Sequence, residues 1–178
     1  MKEELPLFRY HPDPIATGAI EISDERCTCC ERARGYIYRG AMYTTYDVET
    51  LLCPWCISDG SAAKKFEGSF NDVNSMIGRG IPASVVQEVN ERTPSYSSWQ
   101  EVVWLYHCSD ACEFHGDASA DDVRNAVPST FEAFLEGQEE FREHWLSEFT
   151  NYQPNEDLVF YKYKCRHCRM VLLTYEYS

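Results

Sequence analysis

Basic residues are scarce in this sequence: 16 Lys and Arg face 29 Asp and Glu, for a formal net charge of −13. Nucleic-acid binders neutralise phosphates with clustered Lys and Arg, and no such cluster is present, so no nucleic-acid partner is expected. Long apolar runs are also missing. The longest strongly apolar stretch, Val102 to Tyr106, falls far short of the ~20 residues that cross a bilayer, which excludes membrane insertion by a helix of that kind. Met1-Lys2-Glu3-Glu4-Leu5-Pro6 has no apolar run behind a basic patch, so no secretory signal is expected and the expected compartment is a reducing cytoplasm. Several catalytic signatures are absent as well: there is no phosphate-binding glycine loop, no His-Glu-x2-His and no nucleophile elbow. Nor is there a His-x-Glu paired with Pro-Cys-x2-Cys, the pattern of zinc deaminases. No repeat of fixed period and no low-complexity linker divides the 178 residues, a length suited to one core.

What the chain does have is cysteine, nine in all. An odd count cannot pair completely into disulfides, and clustered thiols in a reducing compartment point to metal or redox chemistry. Cys27-x2-Cys30 is followed, after 22 intervening residues, by Cys53-Pro54-Trp55-Cys56. Two x2 pairs are the zinc-ribbon arrangement, since each tight turn aims two sulfurs at one point and the loop returns the chain to complete a tetrahedron. Cys29 is a spare or alternative ligand. Cys53 and Cys56 also have the spacing of a thiol oxidoreductase, a reading that needs a thioredoxin-like βαβ context the sequence does not suggest. A second four-cysteine site is expected from Cys108-x3-Cys112 and Cys165-Arg166-His167-Cys168, paired by elimination, with His107, His115 or His167 able to replace one sulfur. Glu113 and His115 beside Cys112 leave an enzyme centred there as an alternative. Two structural Zn²⁺ ions are therefore expected, and with four thiolates each they would move the formal charge to about −17. A basic protein partner suits such a surface.

Hydropathy patterns frame these sites. Two prolines hold Phe8 to Pro14 in an extended arm over the surface, and Tyr36, Tyr38 and Tyr43 around Gly40 suggest a hairpin from Gly35 to Tyr46. Ser58 to Phe70 reads as a short helix or turn. A helix is predicted over Pro82 to Arg92 and a buried strand over Val102 to Tyr106. A longer helix should start at Ser129, with capping-box spacing to Glu132. Its core stripe is Phe131, Phe134, Phe141, Trp145, Phe149 and Tyr152, and its solvated face carries Glu136, Glu139, Glu140, Glu143 and Glu148. Leu158 to Tyr163 and Met170 to Tyr177 form a hairpin with Cys165 and Cys168 at its tip. The expected fold is α+β: zinc-ribbon-like β-hairpins with two four-cysteine knuckles, packed with a few helices. It would be a single domain over 1–178, with a ribbon portion over 1–70 and helices plus a second knuckle over 71–178.

The sequence resembles the CbrC family of bacterial proteins over nearly its whole length. The resemblance is carried by Tyr10-His11-Pro12-Asp13-Pro14, Thr17-Gly18, Cys27-x-Cys29-Cys30, Arg34-Gly35-Tyr36-Ile37-Tyr38 and Leu52-Cys53-Pro54-Trp55-Cys56-Ile57. It continues through Asp59 to Phe66, Arg92-Thr93-Pro94, Trp99-Gln100, His107-Cys108-x3-Cys112 and the Cys165-x2-Cys168 hairpin. It implies tolerance of, or immunity to, a colicin-type nuclease toxin, and it brings no catalytic residues. Arg169 departs from the glycine more common at that position of a knuckle. Three function classes follow: a non-enzymatic binder of a basic toxin nuclease domain, a metal- or thiol-dependent enzyme, and a zinc-ribbon adaptor in transcription or stress response.

Overall fold

Short apolar stretches separated by turn residues give many short elements. In the computed structural model, residues 3–47, 49, 51–100, 102–154 and 156–178 are described; Met1 and Lys2, which belong to the expectation about a signal segment, lie outside them. Strands Ile20–Ile22 (β1) and Tyr36–Tyr38 (β2) come first, then helices Pro54–Ser58 (α1), Ser61–Lys65 (α2) and Ala83–Arg92 (α3). Strands Tyr106–His107 (β3), Asp110–Ala111 (β4) and Glu113–Asp117 (β5) follow, with helices Ala120–Arg124 (α4), Pro128–Phe134 (α5) and Arg142–Asn151 (α6). Strands Leu158–Lys164 (β6) and Val171–Tyr177 (β7) complete the α+β arrangement.

Both faces of the largest sheet, ordered β5-β6-β7 and antiparallel throughout, are covered. Alternate β6 side chains therefore serve different cores, as the two-residue period of a strand requires. Val159, Tyr161 and Tyr163 join Tyr10, Tyr96, Trp104 and Phe114 on one side. Leu158 and Phe160 join Phe134, Trp145, Phe149 and Leu173 under the helices on the other. A third core surrounds the first cysteine group with Phe8, Ile20, Leu52, Ile57, Phe66 and Phe70.

Several sequence expectations are corrected. The arm at Phe8 to Pro14 is non-helical but bends at Arg9, Tyr10 and Pro12, and it does not lie wholly on the surface: Phe8, Tyr10, His11 and Pro14 are buried. β2 pairs upstream with β1, not downstream toward Tyr43. The Tyr38 ring instead lies over Gly40, where any Cβ would come within 2.2 Å of the Tyr38 hydroxyl. Val102 to Tyr106 is not a continuous strand; buried Val102 and Trp104 alternate with exposed Val103, and only Tyr106 enters β3. The long helix is split into α5 and α6, because Gly137 takes φ 83° between them. Ser129 does not cap α5, which begins with Pro128 in its first turn and Val127 as its cap. The capping box that does form is Ser119 with Asp122, at the start of α4.

Candidate metal centres

Two tight turns of the same backbone design present the paired cysteines. At Cys27 the amide of Glu31 donates to the Cys27 carbonyl at 2.7 Å and the Cys27 amide donates to Arg32 O at 3.0 Å. At Cys165 the same two bonds recur: Arg169 N to Cys165 O at 3.1 Å and Cys165 N to Met170 O at 2.8 Å. The residue after each second cysteine is left-handed, Glu31 at φ 61° and Arg169 at φ 64°. The departure from glycine at Arg169 thus leaves the knuckle geometry intact, and its guanidinium lies 3.6 Å from Glu113.

The first group unites Cys27, Cys30, Cys53 and Cys56, all four sulfurs within 4.8 Å of one another. Pro54 in the first turn of α1 fixes the chain there, and the Cys56 amide donates to the Cys53 carbonyl at 3.1 Å, so α1 carries both sulfurs on one turn. Cys30 Sγ and Cys53 Sγ are 3.8 Å apart, close to the edge of about 3.8 Å for a tetrahedron with metal–sulfur bonds of about 2.3 Å. Hydrogen bonds from Cys53 and Cys56 hold the Cys27 thiol far below the usual range, while the bond to Cys27 pushes Cys53 up to about 12. Four crowded thiols thus share little negative charge by themselves, and a divalent cation is what would let all of them ionise. Cationic groups stand nearby: Lys65 Nζ donates to Thr28 O at 3.0 Å and Cys29 O at 2.7 Å, and the Arg34 guanidinium lies 3.9 Å from the Trp55 ring centroid. Cys29 is outside the group, its sulfur 3.7 Å from Ser61 Oγ.

The second group is His107, Cys108, Cys165 and Cys168, again with its ligand atoms within 4.8 Å. Cys112, expected as a ligand, is not brought to it. Cys108 and Ser109 both have positive φ, 51° and 57°, forming a two-residue reversal between His107 and its strand partner Asp110. That reversal carries Cys112 back opposite Leu105, whose carbonyl accepts the Cys112 amide at 2.9 Å, and buries it in the aromatic core. His107 takes the fourth place. Its Nδ1 is 3.2 Å from Cys108 Sγ and 3.4 Å from Cys168 Sγ, against about 3.6 Å for nitrogen and sulfur on one tetrahedral zinc. Burial raises the Cys165 thiol, but amide donors of Cys168 and His167 and the contact with His107 outweigh it and bring Cys165 to about 6. Desolvation and the neighbouring Cys168 and Cys165 thiols push Cys108 up to about 11.

Asp110 supports this group from outside. Its carboxylate accepts from Tyr10 Oη at 2.8 Å, His167 Nε2 at 2.9 Å and Arg166 Nη1 at 3.1 Å, joining the β3–β4 turn to the Cys165 knuckle. Burial raises its pKa, yet these bonds hold it below the ordinary aspartate value. His167 is therefore a support and not a member of the ligand group, and His115 lies on β5, 3.3 Å from Glu113 and outside both groups. Burial separates the two centres: Cys27, Cys53 and Cys56 are buried, whereas Cys108 and Cys168 are exposed.

Among the described residues, no helix is long and apolar enough to cross a membrane. The model of an uncharacterised protein family, UPF0167, matches residues 5–177. A UPF0167 protein of Pseudomonas aeruginosa is 41% identical over 173 residues, covering 94% of each chain. UPF0167 proteins of Mycobacterium bovis and Mycobacterium tuberculosis are each 40% identical over 131 residues, 74% of this chain and 70% of theirs. No solved structure matches.

Proposed function

The chain belongs to the UPF0167 family, and on that premise we propose that it is a non-enzymatic, zinc-stabilised cytoplasmic protein that offers an acidic surface to a basic protein partner. The observation that carries the reading is that both ligand groups are complete with four protein donors. A catalytic zinc keeps a position open for water or substrate, while a four-donor set is the structural form. Cys27, Cys30, Cys53 and Cys56 would hold one ion, and His107, Cys108, Cys165 and Cys168 the other. When bound, zinc supplies charge compensation and a cross-link; the chain itself supplies the donors and the Asp110 network that orients them.

The surface is the other half of the proposal. With a formal charge of −13 and further thiolate charge at two metal sites, the protein attracts cationic surfaces and repels polyanions. The resemblance of the sequence to the CbrC family supports a partner of colicin nuclease type, and tolerance of that toxin as the outcome.

Metal analysis of the purified protein tests the first half. Two zinc ions per chain are expected, with X-ray absorption giving an average of 3.5 sulfurs and 0.5 nitrogens per zinc. A bound water in place of a protein donor at either ion sinks the structural reading. Capture of a basic colicin nuclease domain, weakening between low and high salt, tests the second half, and its absence at low salt overturns it.

A further inference from the structure

The irregularity in β5 creates a site of another kind. β5 pairs with β6 as Phe114↔Tyr163 and then slips, so that Asp117 faces Tyr161. An unbroken register would set Gly116 opposite Tyr161 and turn Asp117 to the Phe160 side, toward the helical core. The extra residue re-aims Asp117 to the aromatic face of the sheet. Gly116 permits this: its φ is +85°, and a Cβ there would meet Thr17 Cγ2 at 3.3 Å.

Asp117 then borders a cavity of about 430 Å³ whose walls include Tyr96, Trp99, Phe114 and Tyr161. Tyr96 stacks on Phe114 with centroids 4.0 Å apart, and the Tyr161 ring is 4.9 Å from Tyr96. Trp99 is 57% exposed at the rim. Its segment is fixed from beneath by buried Glu176, which accepts from the Trp99 amide and from Tyr161 Oη, each at 2.9 Å, and also from Ser98 Oγ. The walls are therefore held in shape before any ligand arrives. Among the described residues, no hydrogen bond or ion pair engages the Asp117 carboxylate, which is exposed at the cavity's edge; partial desolvation by the walls raises its pKa. The neighbouring His115 is drawn to Glu113 instead. An exposed carboxylate without a cation, at the mouth of a cavity with aromatic walls, is the complement of an organic cation.

We infer that this cavity binds an alkylammonium group, with Asp117 holding the charge and the aromatic walls holding the alkyl carbons. None of its lining residues belongs to a metal ligand group, so the site does not depend on the zinc reading. Its extension, that the ammonium is a lysine side chain of the basic partner, rests on the proposed function.

The test is titration of the metal-loaded full chain with n-butylammonium chloride at fixed ionic strength, following the Trp99 indole N–H by NMR, with n-butanol as the uncharged counterpart. The expected result is a saturable shift with a dissociation constant on the order of millimolar, as befits so small a ligand, and at least tenfold weaker binding of butanol. Asp117→Asn should weaken butylammonium at least tenfold while the remaining amide spectrum stays folded, and Trp99→Ala, at an exposed position, should weaken it as well. Equal shifts from butanol, or undiminished affinity in Asp117→Asn, overturn the site. If butylammonium binds through Asp117 but capture of the nuclease domain is unchanged by Asp117→Asn, the site stands and its assignment to that partner falls.

Discussion

Cys112 and His107 show how much a single turn decides. Both stand near Cys108 in sequence, but the reversal at Cys108-Ser109 leaves His107 facing the thiols and sends Cys112 into the core beneath Trp104, whose Nε1 donates to the Cys112 carbonyl at 3.0 Å. His107→Ala should reduce bound metal from two ions per chain to one, while Cys112→Ala should retain both; quantification on folded protein decides, and the opposite pattern would restore Cys112 as the ligand. The turn was hard to read because two successive left-handed residues normally carry Asn-Gly or Asp-Gly, and here they are Cys and Ser. The x2 pairs were legible because their geometry is local. Nothing in the sequence marked Asp117 except the adjacent Gly116.

His11 carries a prediction of a different sort. It is fully buried, with Nδ1 2.8 Å from the Pro94 carbonyl and Nε2 2.6 Å from Thr17 Oγ1. Burial lowers its pKa from 6.5 to about 4, the Pro94 contact opposing only in part. The unfolded chain therefore binds the proton more readily between those values. The contribution of His11 is intact above pH 6.5 and is lost as pH falls toward 4, by about 3 kcal/mol in total. Denaturant midpoints from pH 7 to 4.5 should fall more steeply in the wild type than in His11→Gln; parallel slopes would show that His11 is not the group responsible.

At the scale of elements, the two knuckles repeat one hydrogen-bond design on unrelated flanking sequences. Both place a side-chain-bearing residue where glycine is least strained. Exposed Glu31 is the cleaner case, since the Arg26 guanidinium bonds its carbonyl and not its side chain. Left-handed backbone costs a non-glycine residue roughly 1–2 kcal/mol, partly offset by the unfolded-state entropy that glycine adds. Glu31→Gly should accordingly stabilise the protein by about 0.5–1 kcal/mol, read as a higher thermal midpoint of the metal-loaded form; a lower midpoint would mean that the Glu31 side chain has a role of its own. Helix α3 and the β6–β7 hairpin were legible because their apolar periods run unbroken. The stripe from Phe131 to Tyr152 kept its packing partners but not its continuity: Phe131, Phe134, Trp145 and Phe149 meet in one core, whereas Phe141 is exposed beyond the break at Gly137. β1 escaped notice because three residues are too few for alternation to register.

Across the whole molecule, the contrast in burial between the candidate metal centres predicts an order of loss for bound zinc. Chelators and competing thiols reach exposed Cys108 and Cys168 directly, while the first group is enclosed by Phe8, Leu52, Ile57 and Phe66. Mixing the zinc-loaded protein with a chromogenic chelator should therefore release zinc in two phases of equal amplitude. His107→Ala should remove the faster one. A single phase, or loss of the slow phase in that variant, would contradict the assignment. Removal of the second ion should loosen the β3–β4 turn first, since two left-handed non-glycine residues there depend on its ligands.

The spacing of the ligands also gives the second centre a history during synthesis. The first group is complete in sequence at Cys56, but Cys168 follows 112 residues later, about 6–22 s at ribosomal speeds of 5–20 residues per second. Throughout most of that interval the first group could already take an ion, whereas His107 and Cys108, once made, must wait for their distant partners. On the proposed zinc reading the nascent chain would be a one-zinc species before a two-zinc one, its exposed half-site open to the cell's own metal buffers and oxidants for seconds in every copy made.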